Sequence, residues 1–188
     1  MQNPFDNYWL ADDARVYGSA KQAITNDQDP DYVAWTSDGY VAMPWPRDDA
    51  GNQTDDAMQA TVGTLGMFVN LKYYCVAKRW VKEQEGLTLS SGMPIKTDDR
   101  AQAKINGAAI ASTNDASFAT QWQAADGSYW PLDQAGVAAM STELQAYINQ
   151  CFTTSKATMD GIDGGTITTR TEVDAAFDAI TVTRKKKK

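Results

Sequence analysis

The sequence predicts an α+β protein: an aromatic β-hairpin and helix at the N-terminus, a helix-strand-helix-hairpin-helix domain, and a short C-terminal arm. Three observations predict it. Apolar residues recur at three- and four-residue steps across residues 58–80 and again across 137–159, which is the period of a helix face. Shorter alternating segments around residues 8–17 and 118–132, each closed by turn residues, carry the period of strands. Helix-start and helix-stop residues bracket the long stretches, Thr54 and Gly86 around the first and Asp133 and Gly161 around the second.

Taken in order, Tyr8-Trp9-Leu10-Ala11, a turn around Asp12 and Asp13, and Arg15-Val16-Tyr17 read as a hairpin. Asp29 before Pro30 starts a short helix, because Asp caps free amides and proline loses nothing at the first helical position. That helix carries Tyr32, Val33 and Trp35 and ends at Gly39. Pro44-Trp45-Pro46 is extended, since proline disfavours helix in the residue before it. Residues 46–53 form the expected linker, which divides the chain into an aromatic module at 1–50, an α+β domain at 53–160 and a Gly-linked arm with a basic tail at 161–188.

Thr54, Asp55 and Asp56 open the next helix, whose apolar positions are Met58, Val62, Leu65, Val69, Val76 and Trp80. Gly63 and Gly66 weaken it by about 1 kcal/mol each, and the aromatic, β-branched centre from Phe68 to Val76 also reads as strand, yet the periodicity predicts one helix to Gly86. Pro94 and Ile95 suit a strand end. Thr97 is the expected N-cap, with Asp98 and Asp99 complementing the helix that runs through Ala101 and Ile105; Asn106-Gly107 either terminates it or is passed through, and Asn114 and Asp115 are helix breakers beyond. Residues 118–122 and 128–132 make a hairpin around Asp126 and Gly127. After Asp133, Val137, Met140, Leu144, Ile148, Cys151 and Met159 form one helical stripe, widened by Tyr147 and Phe152. Gly161, Gly164 and Gly165 predict a flexible joint. Thr171-Glu172-Val173-Asp174 has capping-box spacing, followed by an apolar edge at Val173, Phe177 and Ile180.

The run Thr97-Asp98-Asp99-Arg100-Ala101-Gln102-Ala103, then Ile105-Asn106-Gly107-Ala108, Trp122 and Ala125-Asp126-Gly127 resembles a domain of unassigned function recurrent in tailed-phage genomes. The resemblance covers residues 72–159, and such domains lie near tail-fibre and baseplate genes. The aromatic run from Tyr8 to Trp45 looks like a module that precedes this domain in phage proteins. The resemblance implies a setting and no reaction.

Composition narrows the classes. No apolar run approaches the roughly 20 residues that span a bilayer, so no membrane association is expected. The start Met-Gln-Asn-Pro-Phe-Asp lacks a basic and a hydrophobic signal region, which points to synthesis in a host cytoplasm. The chain has no histidine. That removes the Ser-His and Cys-His nucleophile pairs and the commonest general base near neutral pH. Cys75 and Cys151 fall in separate predicted helices and read as buried thiols, with a bridge within or between copies left open. Net charge is −7, concentrated in residues 1–60, while Arg184, Lys185, Lys186, Lys187 and Lys188 form a basic tail that reads first as solvated, with electrostatic docking on an acidic protein surface as the alternative and nucleic acid after it.

Each further candidate has a plainer reading. Asp27, Asp29 and Asp31 alternate like the first half of a calcium loop, but the sixth position is Tyr32 and the twelfth Asp38, where an EF-hand needs Gly and Glu. Capping and solvation account for them. Eight of the nineteen aromatics fall in the first 46 residues; a small module needs their area for its core, with a protein contact or a glycan platform as alternatives. Asp98 and Asp99 with Arg100 and Lys104 read as a helix start and a solvated face, because no activated nucleophile or base accompanies them.

The resemblance to the tailed-phage domain selects among functions: it implies a structural component of a tailed-phage virion, placed in the tail, baseplate or fibre-attachment region and acting by protein-protein contacts, with no enzymatic activity expected. Trp80, Leu144, Ile148 and Phe177 are the expected packing or interface positions. No catalytic residue, cofactor or metal is expected; the partners are other tail, baseplate or fibre proteins and further copies of the chain, and nucleic acid is not expected among them. The alternative is a tail-fibre assembly factor absent from the mature particle. A glycan-binding tail module comes after it and requires exposure of Trp9, Trp35 or Trp45.

Overall fold

In the computed structural model, which describes residues 6–180, the N-terminal hairpin forms as its alternation predicts. Tyr8–Leu10 (β1) pairs antiparallel with Arg15–Gly18 (β2), Trp9 facing Tyr17 across the register. Two strands extend this pair. Ala23–Asn26 (β3) adds beyond β2, and the extended Met43–Pro44 (β4) lies parallel to β1, giving the order β3-β2-β1-β4. Proline is tolerated in β4 because that strand is an edge.

Alternation sorts the rings onto two faces. On one, Tyr8 and Val16 pack with Tyr32 and Trp35 of the helix Pro30–Ser37 (α1), capped by Asp29 as expected. On the other, Trp9, Tyr17 and Trp45 pack with Met58, Val62, Met67 and Val69. Met58 and Val62 belong to Asp55–Gly63 (α2), capped by Thr54. The chain therefore divides into two compact units between Tyr74 and Cys75, well past the linker expected at 46–53. The physical reason is that α2 completes the aromatic core. Residues 46–53 are tied to the same unit, with Trp45 Nε1 donating to the Thr54 carbonyl at 2.9 Å and Arg15 donating to the Gln53 carbonyl at 2.8 Å.

The single long helix expected from Thr54 to Gly86 is two. After α2 the chain turns at Gly66, whose φ of +73° suits glycine, and resumes as Leu71–Gln84 (α3). The Gln59 side chain holds the turn by donating to the Met67 carbonyl and accepting from the Val69 amide. Leu65, placed by periodicity on the apolar face, is exposed.

In the second unit, Leu87–Thr88 (β5) pairs with Pro94–Ile95 (β6), and Asp99–Asn114 (α4) follows. Its N-cap is Asp98, not Thr97. Asp98 accepts from the Ala101 amide at 2.9 Å, while Thr97 is fully buried with its hydroxyl accepting from the Gly86 amide. Ala119–Gln123 (β7) and Tyr129–Asp133 (β8) form the predicted hairpin, with Trp122 opposite Trp130. Asp133 caps Gln134–Asp163 (α5), which runs antiparallel to α4 through contacts of Gln134 with Ser112 and of Gln145 with Asn106.

The expected Gly joint is an ordered turn. Thr166 and Ile167 amides both donate to the Gly161 carbonyl, and a Cβ on Gly161 would meet the Ile167 side chain at 2.9 Å. The last helix, Arg170–Asp178 (α6), is capped by Thr169 in a capping box with Glu172, two residues earlier than expected and with the preferred Glu at the third position. Val173, Phe177 and Ile180 are buried, as the apolar edge predicts. The fold is of the α+β class.

Candidate protein-protein interface

Of the four residues expected at packing or interface positions, Leu144, Ile148 and Phe177 are core, whereas Trp80 is 48% exposed. The difference follows from how α3 is rolled. Its predicted stripe would bury Val76 and Trp80. Instead Cys75, Arg79 and Glu83, one helical turn apart, form the face turned toward α5, and Val76, Trp80 and Val81 are exposed.

The buried seam between α3 and α5 is polar. The Cys75 thiol lies 3.7 Å from both the hydroxyl and the carbonyl of Ser155. Arg79 Nε lies 3.4 Å from Glu83 Oε1, which accepts no hydrogen bond among the described residues. Tyr147 donates to the Lys82 carbonyl. Burial dominates the electrostatics: it raises the Glu83 carboxyl above its ordinary range despite the opposing charge of Arg79, raises Cys75, and pushes the Cys151 thiol up to about 11. Both cysteines are free, buried and protonated at neutral pH, the opposite of an activated nucleophile. Periodicity alone could not reveal this seam, because Cys-Arg-Glu at four-residue spacing reads as a solvated face.

Outside the seam, Phe152 of α5 is 49% exposed although the sequence counts it with the apolar stripe. The Arg79 guanidinium lies 4.3 Å from its ring centroid, a cation-π arrangement. Arg79 thus ties the seam to the surface, pairing with Glu83 inside and covering Phe152 outside. Val76 and Trp80, four residues apart, share the neighbouring face of α3. The ion pairs of Lys78 with Asp174 and of Lys82 with Glu85 lie on the opposite side of the helix.

A family model described as a domain of unknown function, DUF4376, matches residues 70–181. The chain belongs to the DUF4376 family. No curated protein and no solved structure matches it. The DUF4376 region holds the polar seam, the Trp80 and Phe152 surface and all of α4, α5 and α6, and its start lies close to the structural division at Tyr74 and Cys75. The aromatic sheet lies outside it.

The remaining candidates take the plainer reading. Trp9, Trp35 and Trp45 are all buried, so the platform required by the glycan-binding reading is not at the surface. Asp29 caps α1 and pairs with Lys21 at 3.0 Å, which also holds its carboxyl below the usual range. Among the described residues no group of three or more His, Cys, Asp or Glu side chains is placed to hold a metal, and no helix is long and apolar enough to cross a membrane. Asp98 is a cap, and Arg100 and Lys104 are exposed on α4. The basic tail from Arg184 to Lys188 lies outside the described residues.

Proposed function

We propose that this DUF4376 protein is a structural component of a tailed-phage virion, located in the tail, baseplate or fibre-attachment region, and that it acts through protein-protein contacts with other tail, baseplate or fibre proteins. The observation that carries the contact role is the half-exposed pair Trp80 and Phe152, with Arg79 stacked on the latter. An exposed ring beside a guanidinium that an ion pair already orients, as at Phe152, and a half-exposed tryptophan on the neighbouring helix, as at Trp80, are the residue types of which interface hot spots are made. The virion setting is supported by the resemblance of residues 97–108, Trp122 and residues 125–127 to the domain recurrent in tailed-phage genomes. The protonated state of Cys75 and Cys151 and the absence of histidine favour contact over catalysis.

Quantitative mass spectrometry of gradient-purified particles tests the reading. The expected result is presence at a small integer multiple of a tail protein. Absence from particles together with abundance in the lysate would move the assignment to a tail-fibre assembly factor.

A further inference from the structure

A cleft of about 590 Å³ separates the start of α4 from β7, lined on one side by Lys96, Asp98, Arg100 and Lys104. Its other wall is the unbroken run of residues 120–125. A sheet face presents alternate residues, whereas consecutive residues line a cleft when the strand turns its edge to it. The hydrogen-bond pattern gives the same orientation. The Ala124 amide donates to the Ser128 carbonyl at 2.8 Å, and the register pairs Trp122 with Trp130 and Thr120 with Leu132. Bonding alternates along an antiparallel pair, so Gln121 and Gln123 occupy the positions whose N–H and C=O point away from β8.

Two neighbours bear this out. Pro131, opposite Gln121, sits at such a position on β8, where a residue without an N–H costs nothing and blunts the outer edge of that strand. The Ala125 amide, next on the outward side of β7, donates to the Pro94 carbonyl of β6 at 2.9 Å. Past that bond, no group among the described residues accepts from the Gln121 or Gln123 amides. The edge of β7 is open where the cleft begins.

The charge of the opposite wall selects the occupant. Among the described residues Lys96, Arg100 and Lys104 make no ion pair, and Asp98 already accepts from the Ala101 amide as the α4 cap. We infer that the open edge of β7 accepts an extended acidic peptide segment of a partner protein as an added strand, its carboxylates facing Lys96, Arg100 and Lys104. Backbone pairing to Gln121 and Gln123 provides the attachment and the three cations the preference for acid, the division of labour in strand addition. This site is separate from the Trp80 surface and does not depend on a virion setting.

The test titrates the isotope-labelled full chain with a short capped peptide alternating Glu and Val, followed by nuclear magnetic resonance. The controls are its Lys and Val counterpart, two versions N-methylated in the two alternate registers, and a single-stranded oligonucleotide. Binding of the acidic peptide should shift the Gln121 and Gln123 amide resonances. One N-methyl register should weaken binding about tenfold or more while the other leaves it intact, because an added strand uses only alternate amides. The triple variant Lys96→Glu, Arg100→Glu, Lys104→Glu should lose a similar factor. Should that variant not fold, the peptide series on the native chain decides alone. Failure of the acidic peptide to bind, equal loss in both N-methyl registers or in neither, or equally tight binding of the basic peptide or the oligonucleotide overturns the proposal.

Discussion

In residues 6–74 Trp9, Trp35 and Trp45 are buried and Arg15, Lys21 and Arg47 are all engaged by carboxylates, whereas in residues 75–180 Trp80 and Phe152 are half exposed and Lys96, Arg100 and Lys104 face a cleft unpaired. The same residue types serve opposite ends. The first unit has short strands and short helices, so its rings must supply the core area. The DUF4376 region draws its core from the aliphatic stripe of the 30-residue α5 and from α4 and α6, which leaves aromatic and cationic groups free for contact.

The sharpest way to break this comparison is to remove one tryptophan from each unit. Trp45→Ala deletes a buried ring, its hydrogen bond to Thr54 and the stacking of Arg15, and should cost about 4 kcal/mol in urea unfolding followed by circular dichroism. Trp80→Ala should cost no more than about 0.5 kcal/mol. Equal losses would place Trp80 in a core and remove the contrast.

The next effect lies in the seam. Arg79→Ala strands the buried Glu83 carboxylate and should cost about 3 kcal/mol, while Glu83→Gln, which removes the charge and keeps the shape, should be neutral or stabilising. A Glu83→Gln variant as damaged as Arg79→Ala would show that the ion pair, and not the desolvated charge, governs this site.

Cys151 sharpens the comparison through pH. Its thiol titrates at about 11 in the folded chain against 9.0 for an ordinary thiol. The folded state therefore holds the proton more tightly, so the stability linked to this group is complete below pH 9 and is lost as pH rises toward 11. The loss by pH 11 is on the order of 2 kcal/mol, read as the difference in unfolding free energy between the native chain and Cys151→Ala across that range. Parallel pH profiles for the two would contradict the burial argument. A smaller effect, about 1 kcal/mol, is expected for Thr169→Ala, which removes the side-chain acceptor of the α6 capping box.

Much of the fold was readable where a local residue decides the outcome. Asp29 and Asp133 cap their helices, and Asp126 with Gly127 closes the hairpin, because each choice is made within three or four residues. Where the local rule put the cap one residue early, at Thr97, burial is the reason. Thr97 and Asp98 are both good caps, and only the tertiary bond from the Gly86 amide to Thr97 assigns the role to Asp98. The strands β3 and β5 escaped notice because Ala23–Asn26 and Leu87–Thr88 lack the aromatic alternation that marks β1 and β2, although each pairs with its neighbour in sequence. The division at Tyr74 and Cys75 was hidden for a related reason. Met58 and Val62 have helical spacing that says nothing about which core they enter.

For the site, the sequence names Trp80 as a packing or interface position, and its exposure depends on the rotation of α3, which Cys75 and Glu83 set by facing α5. The open edge of β7 was half legible. Pro131 and the turn at Asp126 give the bonding parity from sequence, yet only the fold shows that the outward side meets three unpaired cations.

The central claim is that the outer face of α3 and α5 is a contact surface. Its most direct test places a photo-crosslinking aromatic amino acid at position 80, with the same group at the exposed Ala116, in the turn between α4 and β7, as a control, and irradiates the assembling lysate. The account predicts a discrete crosslinked partner from position 80 and none from position 116. No crosslink from position 80, or the same diffuse products from both positions, would contradict it.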